Sequence, residues 1–212
     1  STKWMVGTVN SFYIGIIATA IATGLGTMAA LGLSRPHMPY KALIMSILIS
    51  PMIVPLIITA AGMFFFYARI NLVYTFTGVI LAHVALATPF VVITVTATLV
   101  GFDMNMVKAS QSLGAKPLRT FFKVIMPLIL PGIISGALFA FITSFDEVVI
   151  VMFMASIDQL TIPKQMWAGI RQEISPVILC MATCLVVLSI VLLTTVELLR
   201  RRSERLRGIK AR

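Results

Sequence analysis

Five stretches contain no Asp, Glu, Lys or Arg: Trp4 to Ser34, Ala42 to Ala68, Ile70 to Phe102, Val124 to Phe145 and Ile174 to Val196. Nothing else limits the fold as strongly. A helix of about 20 apolar residues crosses a bilayer with every backbone group paired internally, and each run reaches that length. A barrel strand needs only about 10 residues and alternates in polarity, a pattern absent here. With 59% hydrophobic and 11% charged residues, the composition lies outside that of soluble globular domains. The expectation is an all-α membrane protein with five transmembrane helices, a single domain over residues 1–212.

The 17 Lys and Arg residues give the orientation. Arg35, Lys41, Lys108, Lys116, Arg119, Lys123 and seven basic residues of the tail 200–212 fall on one side. Only Lys3, Arg69, Lys164 and Arg171 fall on the other. Basic residues concentrate on the cytoplasmic side, so the N-terminus is outside and the C-terminus inside. The basic tail abuts a span and reads as an orientation signal contacting anionic lipid, with no nucleic-acid role. Cys180 and Cys184, one helical turn apart in the last span, imply neither a disulfide nor a metal framework.

That orientation puts a basic insert, about residues 102–127, in the cytoplasm. Asp103 suits an N-cap, Gly114 a left-handed helix terminator and Pro117 the first turn of a second short helix. Leu118, Phe121, Phe122 and Ile125 form an apolar stripe on that second helix, with Arg119 and Lys123 off it. From periodicity alone, an interfacial helix on lipid headgroups is equally admissible.

The insert resembles the cytoplasmic signature of binding-protein-dependent ABC importer permeases. In that signature an E-A-A-like triplet precedes a Gly, and a Pro follows at fixed spacing. Here the triplet is Lys108, Ala109 and Ser110, the Gly is Gly114, followed by Ala115, and the Pro is Pro127. Lys108 replaces the usual Glu and Ser110 the second Ala. "LPGIISGALFAFITSFDEVVIVMFM" and "TIPKQMWAGIRQEISPVI" are similar to the spermidine/putrescine branch. The resemblance, over about residues 5 to 200, implies the type I ABC importer permease fold in a bacterial inner (plasma) membrane. It makes the insert a coupling helix seated on a separate ATPase. It also implies a second, homologous but non-identical permease, two ATPase subunits and an extracytoplasmic binding protein. Permeases of this branch usually have six spans; the first is absent here, and with Ser1 in place of Met the expectation is that upstream sequence has been removed. No G-x-x-x-x-G-K-[ST] phosphate loop occurs, so ATP and Mg are expected on the partner ATPase and no cofactor on this chain.

Small residues recur every four positions as Ala18, Ala22, Gly26, Ala30 and as Gly132, Gly136, Ala140, Ser144, a pattern for close helix approach. Pro51, Pro55 and Pro89 should kink or loosen their spans. Asp146 and Glu147 interrupt what reads as one apolar helix from about Met126 to Ala155, toward its outer half. Acids there face a cavity or a basic partner. Lys164 and Arg171 of the outer loop, about 156–176, are candidate partners. The alternative is that one acid offers a cationic substrate a counter-charge, with Phe145 or Trp167 supplying a π face. Trp167 and Met166 fit a short helix on the outer surface. His83 reads as a hydrogen-bonded helix residue.

Other classes fit less well. An intramembrane protease built on Asp146 and His83 lacks a second placed Asp and a nucleophile turn. A non-transporting scaffold leaves the Gly114 and Pro127 spacing unexplained. The same importer could move another solute, such as an amino acid, an opine or a metal chelate.

Overall fold

The computed structural model describes residues 2–35, 38–100, 104–172 and 176–206, and every element among them is helical. In chain order these are α1 (Thr2–Leu33), α2 (Lys41–Ile53), α3 (Leu56–Arg69), α4 (Phe76–Val100), α5 (Met104–Ser112) and α6 (Pro117–Thr120). A π-helical segment, Phe121–Ile125, leads into α7 (Met126–Phe145), followed by α8 (Val149–Met154), α9 (Ile162–Gln172) and α10 (Pro176–Leu206).

The core is three mutually packed helices, α1, α4 and α7. Lipid offers apolar side chains as good a home as protein does, so these helices associate through close packing. The two small-residue stripes provide it: Ala18, Ala22, Gly26 and Ala30 of α1, and Gly132, Gly136, Ala140 and Ser144 of α7, are all buried. A Cβ on Gly26 would lie 2.6 Å from Val91 Cβ, and one on Gly132 or Gly136 would collide with the hydroxyl of Thr98 or Thr94. Thr94 and Thr98 of α4 return their hydroxyls to backbone carbonyls of their own helix, which lets them line such a seam without an unpaired group.

These contacts also fix direction. Tyr13 meets Phe76 edge to face, and Gly26 meets Val91, so α1 and α4 run parallel. Gly136 meets Thr94 and Gly132 meets Thr98, so α7 runs antiparallel to them. Parallel α1 and α4 require one crossing between them, and α2 with α3 must supply it.

That crossing departs from a straight second span. The pair is bent by 104° between Ile53 and Leu56. The cause is local: Pro55 disfavours helical geometry at the residue before it, and Val54 accordingly has ψ 134°. Pro51 and Pro89 sit inside α2 and α4, so of the three prolines expected to perturb the spans only Pro55 marks a break. With the bent pair counted once, the described residues hold five candidate spans: four long apolar helices and one broken one.

The third span is shorter than its charge-free run. Residues 70–75 form a turn in which Asn71 and Tyr74 adopt positive φ. Thr75 closes it: its hydroxyl donates to Leu72 O at 2.7 Å and accepts from the Gly78 N–H at 3.0 Å, an N-cap for α4.

Candidate functional site

Two places carry the candidate residues: the cytoplasmic turn between α5 and α6, and the acidic break after α7.

At the turn, Gly114 has φ +79°. The Ala115 N–H donates to Ser110 O at 3.1 Å and the Gly114 N–H to Gln111 O at 2.9 Å, the paired bonds of a Schellman terminator. Pro117 begins α6, where its missing N–H has no helical partner to lose. Ser110 and Thr120 share a hydrogen bond of 2.9 Å between their hydroxyls, which ties α5 to α6 across the turn; Thr120 is buried. Lys108, Ala109 and Gly114 are exposed, and Ser110 and Ala115 half-buried. A groove of about 550 Å³ runs along this turn, with Ala109, Ser110, Ala115 and Arg119 among its walls. The expected N-cap, Asp103, lies outside the described residues.

The second helix of the insert is not a separate short helix as the local signals suggest. It continues through the π segment into α7, making one 29-residue span from Pro117 to Phe145. Pro127 accounts for the π turn. In a regular α-helix its ring would press on the carbonyl of Lys123, and it has no N–H to offer that carbonyl. Here the Met126 N–H instead reaches Phe121 O, five residues back, and the wider turn makes room. Leu118 and Phe122 of the apolar stripe point outward, 73% and 61% exposed.

The acids do not interrupt a continuous helix. α7 stops at Phe145, Asp146 takes φ −89° and ψ 0°, and the chain restarts as α8. The two carboxylates then have separate surroundings. Glu147 is buried, and its Oε1 accepts the Ile150 N–H at 2.8 Å, so its side chain caps α8. Asp146 is exposed. It lines a cavity of about 420 Å³ with Leu56, Thr143 and Glu147, and a second of about 340 Å³ between α7 and α10. Phe145 is buried in an aromatic group with Phe12 and Phe141, at centroid distances of 5.0 and 5.3 Å.

The expected basic partners lie elsewhere. Lys164 Nζ donates to Ala155 O at 2.8 Å and to Val151 O at 3.3 Å, the carbonyls at the far end of α8. Burial pushes its ammonium below the ordinary lysine range. The Arg171 guanidinium lies over the Trp167 ring, 5.4 Å from its centroid. The Trp167 face is thus occupied by its own helix, and Trp167 does not line the Asp146 cavities. As expected, the outer loop folds a short helix, α9.

Three participants escaped the sequence reading. Asn10 Nδ2 donates to Asp158 O and Leu160 O at 2.7 and 3.0 Å, and Ser11 Oγ accepts the Ile162 N–H at 2.9 Å, which pins the outer turn to α1. Thr120 is the third. Adjacent polar residues in an otherwise apolar span were the available signal for Asn10 and Ser11; Thr120 gave none. His83 shares a 2.8 Å hydrogen bond with Ser144, the role expected of it.

Comparison with known proteins agrees with this geometry. The family described as "Binding-protein-dependent transport system inner membrane component" matches residues 22–205. The spermidine/putrescine transport system permease protein PotC of Haemophilus influenzae is 29% identical over 92% of this chain and 76% of its own length. The putrescine transport system permease protein PotI of Escherichia coli K12 is 30% identical over 82% of this chain and 64% of its own. Among solved structures, a chain of an amino acid ABC transporter superposes with a TM-score of 0.70 at 18% identity, covering 95% of this chain and 94% of that one.

Proposed function

The chain belongs to the family of binding-protein-dependent transport system inner membrane components, and from that premise we propose that the solute it helps to import is a polyamine of the spermidine/putrescine type. It is a permease subunit of an ABC importer, and members of this family work with a partner permease, an ATPase and a binding protein.

One observation carries the substrate reading. Asp146 is an exposed carboxylate at the helix break that ends the Pro117–Phe145 span, bordering two cavities and without an ion pair among the described residues. An acid beside apolar spans is costly unless it meets water or a cation, and a passing ammonium is one. Glu147 is committed to α8 and contributes by holding the break open. Phe145 backs the break from within the aromatic group.

The energy source enters at the other end. Gly114, Ala115 and the Lys108–Ser110 stretch form a stiff projection seated on the ATPase, which holds ATP and Mg. The π turn at Pro127 passes its displacement into α7. We assign the pore to this chain and a homologous, non-identical permease above two ATPase subunits.

The test is uptake by the whole complex reconstituted in vesicles with its binding protein, using labelled spermidine, putrescine and a neutral amino acid. Spermidine or putrescine uptake is expected. Asp146→Asn should lower it about ten- to a hundredfold, from the loss of a charge-assisted contact worth about 1.5–3 kcal/mol. Uptake of the amino acid alone, or full polyamine uptake by the variant, would overturn the reading.

A further inference from the structure

We infer that Lys164 is a positioning residue: from the outer helix α9 it clamps α8 from its C-terminal end, and so sets where the Asp146 niche stands. The inference rests on the role given to Asp146 above.

Lys164 occupies the first turn of α9, the wrong end of its own helix for a cation. It is in the right place for α8. α8 is only six residues long, about 9 Å at 1.5 Å per residue, too short to persist unaided. Both its ends are held by charged side chains that match its dipole. Glu147 accepts the Ile150 N–H at the start, and Lys164 donates to Val151 O and Ala155 O at the finish. The Tyr74 N–H takes one of the carbonyls between them, Met154 O, at 2.9 Å. Ile150, Val151 and Met154 are buried, so α8 is a packed strut and not a surface turn.

The base of the strut is fixed as well. Gln159 Oε1 accepts from the Ser156 N–H at 3.0 Å and from its hydroxyl at 2.7 Å, while Asn10 and Ser11 fasten residues 158–162 to α1. A shift of α9 is therefore passed through Lys164 to α8, and from α8 to Glu147 and its neighbour Asp146. Glu147 and Lys164 need no direct ion pair, because each neutralises one pole of the helix between them.

The test uses the whole complex in vesicles, with Cys180 and Cys184 replaced by Ser and a single reporter, Thr143→Cys, in the wall of the Asp146 cavity. The probe is a small cationic methanethiosulfonate. Lys164→Met should change the labelling rate about three- to tenfold, the scale of one net hydrogen bond, with co-purification of the partner subunits unchanged. Lys164→Arg, which keeps charge and donors, should restore the wild-type rate. An unchanged rate in Lys164→Met, or no rescue by Arg, overturns the inference. Uptake by Asp146→Asn, measured alongside, separates the two readings: normal uptake removes the role of Asp146 while a Lys164-dependent labelling rate still establishes the clamp.

Discussion

Gly114 is the residue whose backbone leaves least choice. Its φ of +79° is one that L side chains rarely adopt, and a Cβ built there meets nothing within 4 Å. Crowding is therefore not what excludes a larger residue; the backbone is. Gly114→Val should cost about 1–2 kcal/mol locally and slacken the turn, while the spans, which do not touch it, stay in the membrane. The expected outcome is an assembled complex that hydrolyses ATP with little uptake, measured as solute moved per ATP. Gly114→Asn, tolerated at positive φ, should retain most of the coupling, and full transport by the Val variant would defeat the assignment. Gly114 was legible because a terminator has a residue type and a spacing of its own. Which of Asp146 and Glu147 stays exposed at the cavity was not legible, because that follows from a helix break that the apolar residues on either side do not announce. Lys164 was visible as a cation in want of a partner, but its partners are carbonyls, and carbonyls leave no mark in a sequence.

Helices were plain from the lengths of the charge-free runs, but the departures from ideal helices come from proline chemistry, and periodicity registers them poorly. Pro51, Pro55 and Pro89 look equivalent in sequence, yet only Pro55 breaks its span, where Val54 turns extended. Pro127 acts differently again, by widening one turn into the π segment between the α5–α6 turn and α7. A π turn holds one residue more than an α turn, so closing it would rotate α6 against α7 by about 100°, one residue's step. Pro127→Ala supplies the N–H that proline cannot and should let the α register form. The complex should then assemble, with uptake per ATP reduced several-fold because α6 meets the ATPase at the wrong angle. Pro131 provides the control: it lies inside regular α7, and Pro131→Ala should leave that ratio near wild type. Equal effects of the two substitutions would mean that the π turn has no part in coupling.

At the scale of the molecule, three of the five spans form the core, and the bent pair and α10 flank it, leaving the side that carries Asp146 open. Among the described residues α10 packs chiefly on α7 and α9, and Val186, Val187, Ile190 and Val191 are each more than half exposed. Lipid could cover those side chains at no cost. Asp146 is another matter: it opens into the niche between α7 and α10 and into the one beside Leu56 of α3, and a carboxylate turned toward acyl chains is penalised by several kcal/mol. Protein, not lipid, must close that side in the membrane, and the partner permease with which members of this family work is the subunit available to do so. The chain purified gently from its own host should therefore appear in native mass spectrometry with a second permease and an ATPase pair, and scarcely at all alone. Asp146→Leu should shift the balance, raising the share of free chain that survives in detergent, because the group that lipid cannot cover has been removed. A wild-type monomer that is stable in lipid vesicles and leaves the Asp146 niche open to a cationic probe would contradict this, since the carboxylate would then be hydrated from the chain's own cavity and the partner's coverage would be unnecessary.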